Sequence, residues 1–284
     1  MGFGQAVYKS VLEDQGRQVI TVDPVRPADF KHINDALAEH QHFGTVNICT
    51  PNYTHESIAR SLAAQTDIIF VEKPGVRTAT HWQALHDDFP KTRFMMVKNN
   101  QYRTEIEKFK DLAQQSNNVY LRWNNKNRIP NPGSWFTNKY LSFGGVSRDL
   151  MPHLLSYVTA FTDYTSLQTT SVVMQNFTLP DITSTDYGVI DHNGVYNVDD
   201  YANLSFVVGK TRWILEANWK NNRQDDASIS FDLGNSAIRF ELGLCPESAY
   251  NKMIQTAIDQ QNNADFWKNQ FDQDIWIHQQ LERM

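Results

Sequence analysis

Over its first hundred positions the chain alternates between short runs of β-formers and amphipathic stretches. Gln18–Val22 (QVITV) is β-branched and stops at Asp23-Pro24, which predicts a strand ended by a turn. Across Pro27–His40 the apolar positions Phe30, Ile33, Leu37 and Ala38 return near helical spacing. Thr45–Cys49 (TVNIC) predicts a second strand, halted by Thr50-Pro51-Asn52, and His55–Gln65 a helix with Ile58, Leu62 and Ala63 on one face. Asp67–Val71 (DIIFV) is apolar almost throughout, as a strand buried on both faces of a parallel sheet must be. A helix over Ala79–Asp87 and a strand over Arg93–Val97 complete this part. Strands separated by helices imply βαβ units, hence a Rossmann-type parallel sheet.

Beyond a connecting helix at Tyr102–Gln114 the period changes to two. Val119–Trp123, Thr169–Gln175, Ala202–Val208, Arg212–Trp219, Ser228–Leu233 and Ala237–Leu242 read as strands. Turns such as Gly209-Lys210 and Gly234-Asn235 suit antiparallel hairpins. A helix near Asp149–Phe161 interrupts them, and Ser248–Glu282 is mostly helical. The predicted fold is therefore α/β plus α+β in two domains, residues 1–98 with the parallel sheet and 99–284 with a mostly antiparallel, open-faced sheet.

Composition narrows the function. Apolar residues are 40% and charged residues 20% of 284, enough for packed cores. The formal net charge of −6, with no basic cluster, argues against a nucleic-acid partner. No run approaches the ~20 apolar residues of a membrane span, and the first residues lack a secretory pattern, so a cytoplasmic protein is expected. Cys49 and Cys245 are far apart and read as two free thiols in a reducing compartment.

Gly2-Phe3-Gly4-Gln5-Ala6-Val7 is a G-x-G-x-x-V form of the dinucleotide fingerprint, ahead of a predicted helix at Ala6–Gln15. Its glycines would let backbone approach a pyrophosphate, with Gln5 and Ala6 at the helix start. Asp23, about twenty residues on, could accept hydrogen bonds from the adenosine ribose and repel a 2′-phosphate, which favours NAD over NADP. A generic glycine turn and a turn-starting Asp before Pro24 would leave the same trace. Only Met1 precedes Gly2, where this fold carries its first strand, so either the native chain begins upstream or the sheet is built with a truncated first strand.

Three further segments fall in order: Thr50-Pro51-Asn52-Tyr53-Thr54-His55, Glu72-Lys73-Pro74, and Gly144-Gly145-Val146-Ser147-Arg148-Asp149-Leu150-Met151-Pro152-His153. With the glycine loop they resemble the glucose–fructose oxidoreductase / inositol dehydrogenase / rhizopine-catabolism (Gfo/Idh/MocA) family. The resemblance implies an NAD-dependent oxidoreductase acting on a secondary hydroxyl of a sugar, cyclitol or sugar derivative, as a homo-oligomer (dimer or tetramer). It makes Lys73, Asp149 and His153 the catalytic set. Thr50, Pro51 and Asn52 would border the nicotinamide ribose, with His55, Glu72 and Lys73 also at the cofactor. Val7 replaces the third fingerprint glycine, and Asn99-Asn100-Gln101-Tyr102 replaces an arginine common after the inter-domain strand.

The chemistry fits those residue types. Hydride transfer from an alcohol needs a base for the hydroxyl proton, a task for histidine, and a positive charge near the developing alkoxide, a task for lysine. Asp149 and His153, four apart, share a helix face, so the acid could orient the imidazole or bind a hydroxyl. Asp149 could equally cap a helix whose first turn holds Pro152. Two other functions stay open: a non-catalytic scaffold of the same fold, and a related reductase of a non-sugar substrate. His32, His40 and His42 lack a matching acid or thiol set for zinc, and His81 and His86 read as solvated helix residues. Trp135-Phe136 could line a pocket or pack in a core. Trp213 and Trp219 share a sheet face, which is either an oligomer interface or covered by the C-terminal helices that carry Trp267 and Trp276.

Overall fold

The computed structural model describes residues 5–166, 168–176, 178, 181–221 and 223–284. Two sheets organise it. The first is parallel, with β1 (Phe43–Ile48), β2 (Thr66–Val71) and β3 (Arg93–Met96) in that spatial order. A single turn of π-helix (Gln5–Lys9) runs into α1 (Ser10–Asp14), and α2 covers Ile33–Glu39. The crossovers are α3 (His55–Ala63) and α4 (Ala79–Asp88), and α5 (Ile106–Gln115) leads out. Alternation along β2 explains why Ile68–Val71 is apolar on both faces. Ile69 and Val71 enter one core with Ala59, Leu62 and Trp82, while Ile68 and Phe70 enter another with Tyr8, Val11, Leu12, Met253 and Ile254.

The second sheet is mixed and six-stranded. Its strands are β4 (Asn118–Asn124), β5 (Gln168–Asn176), β6 (Asp199–Val208), β7 (Thr211–Asn218), β8 (Asp226–Asp232) and β9 (Ala237–Glu241), in the order β5-β6-β7-β4-β8-β9. All pairs are antiparallel except β4 with β7. Between β4 and β5 lie α6 (Lys139–Ser142), α7 (Val146–Asp149) and α8 (Met151–Phe161). The inner face buries Leu121, Leu204, Phe206, Leu215 and Phe231, with Leu154, Leu155 and Val158 of α8 in the same core. The C-terminal helices are α9 (Glu247–Asp259) and α10 (Ala264–Glu282).

Helix α10 closes the open edge of β3. Asp274 accepts the Met96 N–H at 2.9 Å and forms an ion pair with Lys98, both side chains being buried. A backbone donor that would otherwise face an unpaired strand edge is thereby satisfied.

Several expectations need correction. Gln18–Val22 forms no strand: Val22 makes one isolated bridge to Phe30, and the Thr21 N–H donates to Asp29 at 2.8 Å. A ladder needs a neighbouring strand, and composition alone cannot supply one. The helix expected at Asp149–Phe161 is α8, which begins at Met151 behind the short α7. The shared face of Trp213 and Trp219 is not an outer surface, since both are buried, with Phe161 of α8 6.2 Å from the Trp213 ring. Trp276 packs beside Phe206, whereas Trp267 lies in the separate core of α9. His86 is not solvated: its ring lies 4.6 Å from Phe271 and 5.2 Å from Phe94, and burial pushes its pKa down to about 4. Among the described residues no helix is long and apolar enough to cross a membrane.

Candidate active site

Two loops leave the carboxyl ends of adjacent parallel strands, where this class of sheet binds ligands. Thr50-Pro51-Asn52 follows β1, and Glu72-Lys73-Pro74 follows β2. His55, buried at the start of α3, joins them: Nδ1 lies 2.7 Å from the Gly75 carbonyl and Nε2 2.8 Å from that of Thr50. Its nitrogens are thus committed to backbone, and it acts on a ligand only by holding these loops together. Behind the same loop the Val76 N–H donates to His278 Nε2 at 3.2 Å. Gly75 has a φ of +80°, and a Cβ there would meet His278 Nε2 at 2.6 Å.

Lys73 reaches the second sheet. Its Nζ donates to the Asp149 carbonyl at 2.9 Å and forms an ion pair with Asp149 Oδ1. Trp219 Nε1 donates to the other carboxylate oxygen at 2.9 Å. Burial pushes the Asp149 carboxyl up, but the Lys73 ammonium and these hydrogen bonds outweigh it and hold the pKa below the usual range. Asp149 is therefore a charged partner of Lys73 at the end of α7 and caps nothing there.

The other members surround this pair. Glu72 is buried, which raises its pKa, and accepts from Tyr8 at 2.5 Å. Asn52 Nδ2 donates to the Ser142 carbonyl at 2.8 Å, tying the first loop to the second sheet's side. Asn52, Lys73, Phe136, Ser142, Asp149 and Trp219 line one pocket. Phe136 thus belongs to the site, stacked on Trp135 at 3.8 Å. Gly2 and Gly4 lie outside the described residues; Gln5 and Ala6 begin the π-turn. Asp23 serves a turn: Oδ1 accepts the Val25 and Arg26 N–H groups at 2.9 and 2.8 Å.

His153 stacks on Trp123 at 5.1 Å. Burial, then the charge of Lys73, pushes its pKa down to about 3, so it is neutral at physiological pH. The tautomer follows from a neighbour. Arg103 Nε can only donate, and it donates to Asn100 Oδ1 at 3.0 Å. The Asn100 amide nitrogen therefore faces His153 Nδ1, at 3.3 Å, and donates to it. The imidazole proton then resides on Nε2.

Four contributors escaped the sequence reading: Tyr8, Asn100, Trp219 and Asp199. Asp199, at the start of β6, accepts from the N–H groups of Gly145 and Ser147 at 2.9 and 2.7 Å and fixes the turn into α7. A Cβ on Gly145 would lie 1.8 Å from the Asp199 carbonyl oxygen. Gly145→Ala is expected to displace α7, lower activity about tenfold or more and cost about 1–3 kcal/mol. Turnover and thermal unfolding check this, and a variant unchanged in both would contradict it.

The fold and this lysine–aspartate–tryptophan cluster define a two-sheet architecture, a Rossmann-type parallel sheet beside a mixed, mostly antiparallel one, with polar groups gathered between them. Solved structures with little sequence in common share this fold over nearly the whole chain. GenD2 from gentamicin A biosynthesis, solved with NAD, is 17% identical over 99% of this chain and 90% of its own, with a TM-score of 0.76. A D-galactose-1-dehydrogenase protein from Rhizobium etli is 16% identical over 91% and 86%, with a TM-score of 0.71. The WlbA (WbpB) dehydrogenase from Thermus thermophilus, solved with NAD and UDP-GlcNAcA, is 12% identical over 98% and 90%, with a TM-score of 0.68. No family model and no curated protein matches the sequence.

Proposed function

We propose that the protein is an NAD-dependent oxidoreductase that transfers a hydride between the nicotinamide and a secondary hydroxyl of a sugar, cyclitol or sugar derivative. The observation that carries this reading is the Lys73–Asp149–Trp219 cluster, closed across the two sheets at the carboxyl end of β2. The strand-end loops Thr50–Asn52 and Glu72–Lys73 suit a dinucleotide, with Gly2, Gly4, Gln5 and Ala6 at its pyrophosphate and Asp23 at its adenosine ribose. NAD bound there supplies the acceptor for the carbinol hydride. In this reading residues 1–98 hold the cofactor and 99–284 hold the substrate. The enzyme is cytoplasmic and homo-oligomeric (dimer or tetramer), for which sedimentation is the test.

Each residue has a task. Lys73 places positive charge at the substrate oxygen, where an alkoxide develops as the C–H hydride leaves with its electron pair. Asp149 orients that ammonium, and Trp219 keeps Asp149 in place. In oxidation His153 Nε2 takes the hydroxyl proton, which needs the tautomer with its proton on Nδ1 and the Asn100 contact broken, and the ring becomes an imidazolium; in reduction that imidazolium returns the proton to the oxygen. Titrating tryptophan fluorescence with NADH, and following NADH formation across a sugar panel, tests the reading. No NADH binding, or binding without turnover of any sugar, would sink it.

The pH dependence carries a second test. With His153 near 3, kcat/KM is expected to show no acid limb at the ordinary histidine value of about 6.5. The carboxylate of Asn100→Asp would accept a hydrogen bond from Nδ1–H, raise the His153 pKa and introduce such a limb. Identical profiles for the two enzymes would refute the tautomer assignment.

A further inference from the structure

The turn that carries Lys73 is fixed at three points. The Gly75 N–H donates to the Glu72 carbonyl at 2.9 Å and closes the turn on itself. His55 faces the Gly75 and Thr50 carbonyls with its two ring nitrogens, at 2.7 and 2.8 Å. Burial lowers the His55 pKa, so at neutral pH the ring carries one proton and donates to only one of these carbonyls. The third point is His278, which α10 contributes from 202 positions beyond Val76.

Both contacts of His278 agree with a single tautomer. A carbonyl only accepts, so Nδ1, 2.6 Å from the Asp274 carbonyl, carries the proton and donates it there. Nε2 keeps its lone pair and accepts the Val76 N–H at 3.2 Å. The ring is buried and stacked on Trp82 of α4 at 5.3 Å. Burial, with the charges of Arg148 on α7 and Lys98 beyond β3, outweighs the Asp274 carbonyl and pushes the His278 pKa down to about 4. Nε2 is therefore an acceptor at neutral pH. Val76 is itself buried, so an N–H deprived of Nε2 must move to find a partner. Lys73 sits in the same short turn, and its Nζ holds both the carbonyl and the carboxylate of Asp149. Misplacing such a group by about 1 Å costs up to about a hundredfold in rate.

We propose that His278 is a positioning residue of the reaction: through the Val76 N–H, α10 sets where the Lys73 ammonium stands against Asp149. This rests on the dehydrogenase reading above and deepens it. His278 touches neither substrate nor cofactor in this account and acts only through the backbone of the Lys73 turn.

The test compares the wild type with His278→Leu, His278→Gln and His278→Asn by two readouts. One is steady-state kinetics with NAD and a sugar turned over in the panel above. The other is the indole N–H proton signal of Trp219 in NMR spectra, identified by its loss in Trp219→Phe. That signal reports on Asp149, because Trp219 Nε1 donates to one carboxylate oxygen while Lys73 holds the other. Leucine fills space but offers no acceptor. Its kcat is expected to fall about tenfold to a hundredfold with KM little changed. Its Trp219 signal should move in the direction in which Lys73→Met moves it. Glutamine can place a carbonyl where Nε2 stands and should restore both readouts. The asparagine amide reaches only as far as Nδ1 and should behave as leucine does, which decides the matter should His278→Leu fail to fold. A Trp219 signal unmoved in the leucine and asparagine variants overturns the proposal, with or without a loss of rate. Glutamine no better than asparagine overturns it as well. If no sugar yields NADH, the Trp219 signals still decide. A shift that glutamine reverses upholds the placement of Lys73 by His278 while the dehydrogenase reading falls; no shift overturns the inference.

Discussion

Replacing Lys73 with methionine is expected to lower kcat/KM about a thousandfold while NADH binding survives. Methionine keeps much of the lysine stem's bulk but removes the ammonium that donates to Asp149 and stands ready for the substrate oxygen. Loss of that charge acts twice. The developing alkoxide loses its electrostatic partner, and Asp149 keeps only the Trp219 N–H against the cost of its burial. The Asp149 carboxyl, now held below the usual range mainly against desolvation by Lys73, should rise accordingly. Lys73→Arg should not restore full turnover, because a planar guanidinium cannot reproduce a point charge on a flexible stem. Steady-state kinetics and NADH titration of both variants check this. A methionine variant within about tenfold of wild type would remove Lys73 from the chemistry.

The largest stability effect is expected at Lys98, which is buried against Asp274 of α10. Lys98→Met leaves Asp274 buried with the Met96 N–H as its remaining donor. Breaking one side of a buried pair costs about 3–5 kcal/mol, which for a chain of this size lowers Tm by about 10 °C. The sign of the pH dependence is fixed by Asp274. Burial already raises its pKa to about 6 against the pull of Lys98, and without that lysine it rises further. A folded pKa above the unfolded value means that the native state binds the extra proton, so stability falls as pH rises through that window. The deficit of the variant should thus be greatest near pH 8 and shrink toward pH 5. Lys98→Met combined with Asp274→Leu should recover much of the loss, since two apolar residues leave no charge unpaired. Thermal melts across pH decide it; a deficit that grows toward acid would contradict the account.

Most of the secondary structure was legible in the sequence because the signals are local. The apolar run Asp67–Val71, the hairpin at Gly209-Lys210 and the helical C-terminal stretch each formed where expected. The failures lay where local pattern and neighbourhood disagree. Gln18–Val22 has a strand's composition but no partner for a ladder, and His86 has a surface helix's sequence context but faces Phe94 and Phe271. At the site, motif order put Lys73, Asp149 and His153 in one set and offered Asp149 the imidazole or a substrate hydroxyl as partner, whereas in the folded chain its carboxylate meets Lys73 and Trp219. Trp219 was visible as an aromatic in a strand pattern, but nothing in that pattern said that its N–H would meet a carboxylate seventy positions earlier.

By itself the sequence determined the two sheet types, their order along the chain, and which side chains could do proton and charge work, since periodicity and residue chemistry are properties of neighbours in the chain. Tertiary structure alone decided the state of those side chains. Asn100, turned by Arg103, sets the His153 tautomer, and His55 and His278 hold the Lys73 loop from two sides. These are contacts across gaps of up to about two hundred residues, and their energies depend on distance and burial in space, to which sequence separation gives no measure.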